Sequence, residues 1–386
     1  MTVGVQRENV LELPETLRES IEAGAAEADR LGDISAGLHD ELRQSGAFRL
    51  LTPREFGGSE TPLPTALQVY ERFGRIDGSV GLLVWNANFG FVGAALPMAG
   101  VERIWGTGGE PVLANSGMPC TAQRVDGGFR VTGHWKIVTG IRRSDWLIGI
   151  GPVSADGQPE LTASGTPNVR FFAIPTSHLD IEDTWDVTGL RATDSRNAVC
   201  DGVFVSADLS ESMETSSRID RPLYRGFIPN LVFGGCSAVT LGVTARLIDE
   251  TAALVRTKPA FVGGVVADAA RTQYLIAKAQ AGVDAARLLL LSTAGDIQEA
   301  GERGANVTMD QRAAFRAAIS HAADVSREAL VDMYQLAGSS ALYRSNPVER
   351  LFRDGMAATQ HGTQSAVYLE AAGRVRLGME PGTPIF

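Results

Sequence analysis

Among the side chains that could carry acid–base chemistry, His361 has the most informative surroundings. An unperturbed imidazole has a pKa of about 6.5, so it can give or take a proton near neutral pH. An Arg353-Asp354 pair precedes His361, and Gly362 and Thr363 follow it directly. A histidine taken alone is usually a surface or core residue. Within this run of residues, His361 is the candidate for proton transfer.

Other chemistries find little support in the sequence. The Gly-x-Ser and Ser-Gly pairs lack the strand-to-helix elbow of a hydrolase nucleophile, and no Gly-x-Gly-x-x-Gly opens a βαβ unit. Hydrolase chemistry and a Rossmann nicotinamide site are therefore disfavoured. The 3 cysteines lack the paired spacing of zinc or redox sites. We expect no metal site and buried, inert thiols at Cys120, Cys200 and Cys236.

The composition excludes further classes of function. The formal net charge is −10 and no block of Lys and Arg could neutralise a row of phosphates, so nucleic-acid binding is disfavoured. No stretch reaches the roughly 18 uninterrupted apolar residues that a membrane span needs. Residues 1–11 lack the apolar core of a secretion signal. The expected location is the cytoplasm.

Three regions with different periodicities must position these side chains. Residues 1–108 repeat apolar side chains at the helical period, residues 109–212 alternate strands and turns, and residues 213–386 are helical again. The predicted fold class is α+β and mainly α. It comprises an N-terminal helical domain, a central β domain of the barrel or sandwich type, and a C-terminal helical bundle.

Local signals predict most of the individual elements. Gly32 and Gly46 end helices, and an Asp126-Gly127-Gly128 turn predicts a hairpin. The predicted strands are residues 146–149, 169–174 and 198–205. The predicted helices are residues 64–74, 80–96, 234–258, 265–294, 310–337 and 347–378. The helix over residues 80–96 is expected to be buried.

The order of these elements resembles the acyl-CoA dehydrogenase fold, in which a helical domain, a β domain and a C-terminal four-helix bundle enclose a flavin. Local motifs strengthen the resemblance. Residues 42–58 look like the N-terminal signature, a helix end followed by a Pro-x-x-aromatic-Gly-Gly loop. The other similar stretches lie in the same order along nearly the whole chain, at residues 70–79, 190–195, 203–205 and 338–354.

Two positions depart from the dehydrogenases and resemble the flavin-dependent monooxygenases of the same fold. Dehydrogenases often have Glu-Gly-Thr, whose carboxylate removes the α-proton of the thioester, where this chain has His361-Gly362-Thr363. Their flavin-binding segment usually reads aromatic-Ile-Thr-x-Gly. Residues 135–140 read Trp-Lys-Ile-Val-Thr-Gly, so Val138 offers no hydroxyl and Thr139 does.

The resemblance implies roles for individual residues. Thr139 would hydrogen-bond N5 of the flavin, and His361 would act as the acid–base group beside the oxygenated ring. Asn115 and Ser116 would bond the pyrimidine edge of the flavin. Further cofactor contacts, some of them to the flavin of a neighbouring subunit, would come from Trp135, Gly338, Ser339 and Ser340.

The substrate and the exact flavin are less constrained. Aromatic hydroxylases of this branch usually hold a phenolate with a second histidine on the N-terminal apolar helix, but residues 82–97 contain none. Asn86 and Asn88 are the candidate substrate-binding residues there instead. Residues 256–261 read Arg-Thr-Lys-Pro-Ala-Phe rather than the dehydrogenases' Arg-x-x-Phe-Gly pyrophosphate contact, which leaves both FMN and FAD open.

The function that the resemblance implies is that of a two-component monooxygenase. Reduced flavin (FMN or FAD) from a separate flavin reductase would react with O2 to give a C4a-hydroperoxyflavin, and a small organic substrate would take one oxygen atom. The fold also implies a homo-oligomer, expected to be a tetramer. Two alternatives stay open: an acyl-CoA dehydrogenase with a displaced catalytic base, and a non-catalytic ligand-binding member of the fold.

Overall fold

Helices predominate in the first and last thirds of the described chain, and strands occupy its middle third. A computed structural model describes residues 7–106, 108–163, 165–225, 230–383 and 386. Residues 1–6, part of the segment in which no secretion signal is recognised, lie outside the described chain. The helix, strand, helix order agrees with the prediction, while the domain boundaries near residues 108 and 212 stay predictions.

The N-terminal region consists of short helices joined by tight turns. Gly32 ends α2 with a φ of 77°, and Gly46 follows α3 with a φ of 84°, as their sequence context predicts. The α-helices among the described residues of this region are α1 (Leu13–Thr16), α2 (Arg18–Leu31), α3 (Ala36–Gln44), α4 (Leu63–Ile76), α5 (Gly78–Ala87) and α6 (Met98–Trp105).

The buried helix predicted over residues 80–96 is shorter than expected. α5 ends at Ala87, and a separate 3-10 turn covers Gly90–Ala94. Asn88 causes the break, because its side-chain oxygen accepts hydrogen bonds from the backbone N–H groups of Leu50 and Leu51 at 2.6 and 3.3 Å. Its amide nitrogen donates to the carbonyls of Ala47 and Val84, both at 2.7 Å.

In the middle region the described residues form one sheet of nine strands. The strands are β1 (Leu113–Pro119), β2 (Thr121–Val125), β3 (Gly128–Val138), β4 (Trp146–Ala155), β5 (Gln158–Pro159), β6 (Val169–Pro175), β7 (Asp180–Glu182), β8 (Arg196–Ser206) and β9 (Ser210–Ser212). The main path is β7-β8-β3-β2-β4-β6-β9, with β1 and β5 also pairing with β4. The predicted hairpin joins β2 to β3, and Gly127 adopts a φ of 75° in its turn.

A bulge near the end of β3 shapes the part of the sheet that borders the candidate active site. The register with β8 shifts between Trp135 and Val138. Ile137, between them, has a φ of 57°, which is costly for a β-branched side chain. Its side chain is exposed, whereas the Trp135 side chain is fully buried.

The C-terminal region is a helical bundle around α8. The described helices here are α7 (Asn230–Phe233), α8 (Gly235–Thr257), α9 (Ala270–Glu302), α10 (Met309–Ala337), α11 (Pro347–Ala358) and α12 (Ala366–Arg376). The segment Asn230–Thr257 is long and apolar enough to cross a membrane by composition alone, but 89% of its most apolar window is buried inside the protein. Its hydrophobicity therefore serves the core of the bundle.

The single helix predicted over residues 347–378 is in fact two helices with a break between them. α11 ends at Ala358 and α12 begins at Ala366. His361 stands in the break and caps a 3-10 turn, since its ring nitrogen Nδ1 accepts a hydrogen bond from the backbone N–H of Thr363 at 3.2 Å. Buried Gln364 anchors the turn by donating to the carbonyl of Ala358 at 2.9 Å.

Candidate active site

A cavity of about 840 Å³ lies where the N-terminal helices, the sheet and the bundle meet. It collects several of the predicted site residues, namely Asn86, Asn115, Ser116, Thr139 and His361. Residues around them make much of the wall apolar. These apolar lining residues include Leu82, Trp85, Phe89, Ile137, Phe171, Leu190, Val232 and Phe233.

One face of α5 and its C-terminal extension forms a wall of the cavity. Leu82 and Asn86 lie four residues apart on α5 and so point the same way, and Phe89 joins them just beyond the end of the helix. Trp85 lies on this wall as well, and its ring meets the ring of His361 edge to face with centroids 5.0 Å apart. The indole N–H of Trp85 donates to the carbonyl of Val232 at 3.1 Å, which fixes the ring.

His361 faces this cavity as a neutral side chain. Burial lowers its pKa to about 4 because the enclosed site disfavours the charged imidazolium. Its surface is still partly accessible, and that surface opens to the cavity it lines. Because Nδ1 accepts the N–H of Thr363, the proton of the neutral ring resides on Nε2. His361 therefore presents a hydrogen-bond donor to the cavity, and the acid–base role expected for it stays a prediction.

Thr139 belongs to a row of buried hydroxyls in the cavity wall. Its Oγ1 lies 3.0 Å from Oγ of Ser195, which lies 2.7 Å from Oγ1 of Thr193. Oγ1 of Thr193 in turn donates to the carbonyl oxygen of Leu190 at 2.9 Å. We call these three hydroxyls and this carbonyl the hydroxyl chain. Its three hydroxyl residues line the cavity and are at most 7% exposed.

The Arg353-Asp354 pair clamps the loop that carries Leu190, Thr193 and Ser195, the part of the hydroxyl chain that lies beyond Thr139. Oδ1 of Asp354 accepts the backbone N–H of Leu190 at 2.6 Å, and Arg353 donates to the carbonyl of Thr188 at 2.6 Å. A Cβ at Gly189 would lie 2.2 Å from the carbonyl oxygen of Arg353, so only glycine allows this approach. Sequence reasoning did not assign this clamp, although both partners lie in the stretches that carry the family resemblance.

The two predicted amide residues of α5 and its extension have different fates. Asn86 lines the cavity and is 7% exposed, and its Oδ1 has no hydrogen-bond partner among the described residues. Asn115 donates to the backbone carbonyl of Asn86 at 2.8 Å and so joins β1 to α5. Asn88 lies outside the lining, and its amide is used by four backbone groups. The structure does not support a contact between Asn88 and substrate.

Four predicted cofactor residues lie away from the cavity wall of their own chain. Trp135 is fully buried under the sheet, where a Cβ at Gly133 would lie 2.5 Å from its ring. It is not among the residues that line the cavity, so the structure does not support a contact between Trp135 and the flavin. Gly338, Ser339 and Ser340 follow the end of α10 in a 3-10 turn, with a φ of 53° at Gly338. A contact from these three to the flavin of a neighbouring subunit stays a prediction.

The donor set of the cavity fits a flavin ring. A flavin needs an apolar slot for its planar tricyclic system and polar groups for its nitrogen and oxygen edge. Aromatic and aliphatic side chains supply the slot, while Asn115, Ser116 and Thr139 sit together on the sheet side. The exposed side chain of Ile137 adds an apolar contact at the same edge.

Comparisons with known proteins agree with this geometry. Family models for the N-terminal and C-terminal domains of acyl-CoA dehydrogenase match residues 6–103 and 235–365. An indole-3-acetate monooxygenase of Pseudomonas putida is 30% identical over 366 residues, which cover 93% of this chain and 91% of that protein. The oxygenase component of an FADH2-dependent resorcinol hydroxylase from Rhizobium sp. (strain MTP-10005) is 28% identical over 93% of this chain and 91% of its own length.

Solved structures share the whole fold. XiaF from Streptomyces sp., determined with FADH2 and glycerol, superposes with a TM-score of 0.90 at 24% identity over 98% of both chains. TdsC from Paenibacillus sp. A11-2, determined with FMN and indole, has a TM-score of 0.79 at 20% identity over 96% of this chain and 97% of its own. The chain therefore belongs to the flavin-dependent monooxygenases of the acyl-CoA dehydrogenase fold.

Proposed function

We propose that this flavin-dependent monooxygenase is the oxygenase component of a two-component system and that it acts on a flat aromatic substrate. Flavin would arrive already reduced from a separate reductase. The resorcinol hydroxylase relative is named as FADH2-dependent and as an oxygenase component, which supports this arrangement. Bound reduced flavin supplies the activation of O2, which amino-acid side chains cannot perform alone.

The main argument against the dehydrogenase alternative is that the described cavity lining contains no carboxylate that could act as the base. No Asp or Glu is among the described residues that line the cavity. Removal of an α-proton from a thioester needs a base within hydrogen-bond reach. His361 cannot supply it, because its Nε2 holds the proton and its Nδ1 is occupied by Thr363.

The wall chemistry supports a flat aromatic substrate. Lys136 is the one Lys, Arg, Asp or Glu residue in the described lining, and the α5 side offers rings and aliphatic groups. The Asn86 amide is the polar group on that wall with an unmet hydrogen-bond requirement. An aromatic ring with an N–H group, such as indole, would meet it. Indole is the ligand found in one solved neighbour, and an indole derivative names one relative.

The side chains that line the cavity would have different roles in the reaction. Trp85 and Phe89 would hold the substrate ring by stacking and exclude water. Nε2–H of His361 would donate a hydrogen bond to the reacting oxygen or to substrate, which stabilises negative charge as it develops. Thr139 would contact the polar edge of the flavin.

We also propose that the protein works as a homotetramer in the cytoplasm. Large apolar side chains are exposed near the ends of the bundle helices, among them Phe261 and Tyr343. A second copy would cover them. Leu342 is exposed as well, in the 3-10 turn whose residues Gly338, Ser339 and Ser340 are expected to reach a neighbouring flavin. Sedimentation of the purified protein measures this assembly directly.

The activity is tested by coupling the purified protein to a flavin reductase with NADH, O2 and either indole or indole-3-acetate. We expect oxygen uptake that depends on the oxygenase and, with ¹⁸O2, one labelled oxygen atom in the product. Bleaching of the oxidised flavin by an acyl-CoA without oxygen uptake would instead identify a dehydrogenase. Failure to bind any flavin would point to the non-catalytic alternative.

A further inference from the structure

The hydroxyl chain has a direction. Each hydroxyl has one proton and can donate once. The carbonyl oxygen of Leu190 can only accept a hydrogen bond, so the hydroxyl of Thr193 donates its proton to it. Oγ1 of Thr193 must then accept a hydrogen bond from the hydroxyl of Ser195. Ser195 must then accept from Thr139. The proton of Thr139 therefore points into the protein, and its oxygen turns lone pairs toward the cavity.

Burial makes the opposite direction unfavourable. If Thr139 donated into the cavity, Ser195 would donate to Thr139 and Thr193 to Ser195. Oγ1 of Thr193 would then face the carbonyl oxygen of Leu190 at 2.9 Å with no proton between them. Thr193 and Ser195 are 0% and 1% exposed, so solvent could not relieve this contact.

The oxidation state of a flavin changes what it offers to such an acceptor. Reduction adds a proton to ring nitrogen N5, whereas the oxidised ring presents only a lone pair there. An acceptor oxygen in the wall attracts the N–H of the reduced ring and repels the lone pair of the oxidised ring. A side chain free to rotate its proton would not distinguish the two forms in this way.

We propose that the hydroxyl chain holds Thr139 as a fixed hydrogen-bond acceptor and thereby selects reduced over oxidised flavin. In this arrangement Ser195 and Thr193 are positioning residues that act through Thr139. The inference rests on the proposed function, in which flavin arrives reduced and leaves oxidised. It explains why three buried hydroxyls stand in a row beside the cavity instead of apolar side chains.

The test compares the affinity of the protein for the two redox forms. Dissociation constants of oxidised and reduced FMN and FAD are measured anaerobically, together with the midpoint potential of the bound flavin. For Thr193→Val and for Ser195→Ala we expect the preference for reduced flavin to fall about tenfold, the effect of one ordinary hydrogen bond. A tenfold loss lowers the two-electron midpoint potential by about 30 mV.

Matched variants separate the effect from general damage. Thr193→Ser keeps the hydroxyl and should keep the wild-type ratio, and Thr132→Val makes the same change on the exposed side of β3, outside the cavity lining. Thr193→Ala removes the hydroxyl without bulk if the valine does not fold. An unchanged ratio in both Thr193→Ala and Ser195→Ala would overturn the inference while leaving the proposed function standing. A wild-type protein that binds neither form would contradict the proposed function itself.

Discussion

Asp354 on α11 accepts the backbone N–H of Leu190 at 2.6 Å across 164 residues of sequence. Burial and the nearby Asp77 raise the pKa of Asp354 to about 7, because both disfavour its charged form. Leu190 itself has a φ of 53° and also supplies the carbonyl that anchors the hydroxyl chain. One acidic side chain of the bundle thus holds the strained loop of the β domain that shapes the cavity.

Loss of this contact should loosen the loop. We expect Asp354→Ala to lower the free energy of unfolding by about 2 kcal/mol, because it leaves the buried N–H of Leu190 without an acceptor. Asp354→Asn keeps an acceptor oxygen and should cost less. Thermal melting compares the two variants. Equal melting temperatures for Asp354→Ala and the wild type would show that the clamp does not stabilise the fold.

Gly235 on α8 makes room for the ring of Trp85. A Cβ at this position would lie 1.9 Å from Cδ1 of Trp85. Gly235→Ala should therefore push the indole into the cavity or away from His361, raising the dissociation constant of an aromatic ligand at least tenfold. Gly295→Ala on α9 is the control, since nothing lies within 4 Å of its added methyl group. Similar ligand binding by both alanine variants would mean that Trp85 does not shape the substrate wall.

The pKa of His361 predicts how stability responds to acid. The unfolded chain binds a proton at His361 near pH 6.5, whereas the folded chain does so only near a pKa of about 4. Stability should therefore fall as the pH drops through this window, by up to about 3 kcal/mol, and level off below it. His361→Gln should remove this component. Melting curves of the wild type and His361→Gln across this pH range give the difference in their stability. Other titrating groups, such as His39, are present in both proteins, so their contribution cancels in this difference.

The same geometry predicts the pH profile of activity. Because His361 stays neutral with its proton on Nε2, turnover should show no ionisation of this residue between about pH 6 and 8. His361→Gln retains an N–H donor and should keep more activity than His361→Leu. Steady-state rates with the reductase in excess test this. A bell-shaped profile that disappears in His361→Gln would show that the residue does act as an acid–base group.

The Asn86 amide predicts a substrate preference. If its oxygen accepts a ring N–H, 1-methylindole should bind about tenfold more weakly than indole to the wild-type protein. In Asn86→Leu the two ligands should bind alike. Asn86→Gln keeps the amide on a longer stem and serves as the control. Equal affinities of the two indoles for the wild-type protein would remove Asn86 from substrate recognition.

Several features followed from sequence because they depend on local chemistry. The Asp-Gly turn between β2 and β3, the helix ends at Gly32 and Gly46, and the burial of Cys120 and the other two thiols are confirmed. Backbone conformation at glycine and the burial of an apolar thiol are set by neighbouring residues and composition. Such features need no knowledge of distant contacts.

Contacts between distant residues set the rest. Asn88 reads as a ligand-binding amide on an apolar helix, yet it ends α5 by bonding the backbone of Leu50 and Leu51. Periodicity likewise predicts one helix through residues 347–378. The chain instead breaks after Ala358, and the buried Gln364 secures the turn. Side-chain hydrogen bonds to remote backbone groups leave no periodic signal in a sequence.

The sequence by itself determined the flavin-binding fold and singled out His361 and Thr139. Both residues lie in motifs that resemble those of the family and follow one another in the same order along the chain. Only the tertiary structure decided what these side chains can do. The 3-10 turn that His361 caps fixes its proton on Nε2, and the Leu190 carbonyl, supplied by a separate loop, fixes the direction of the Thr139 hydroxyl. The position of a proton depends on which acceptor lies within 3 Å or so, and that is a property of the folded chain.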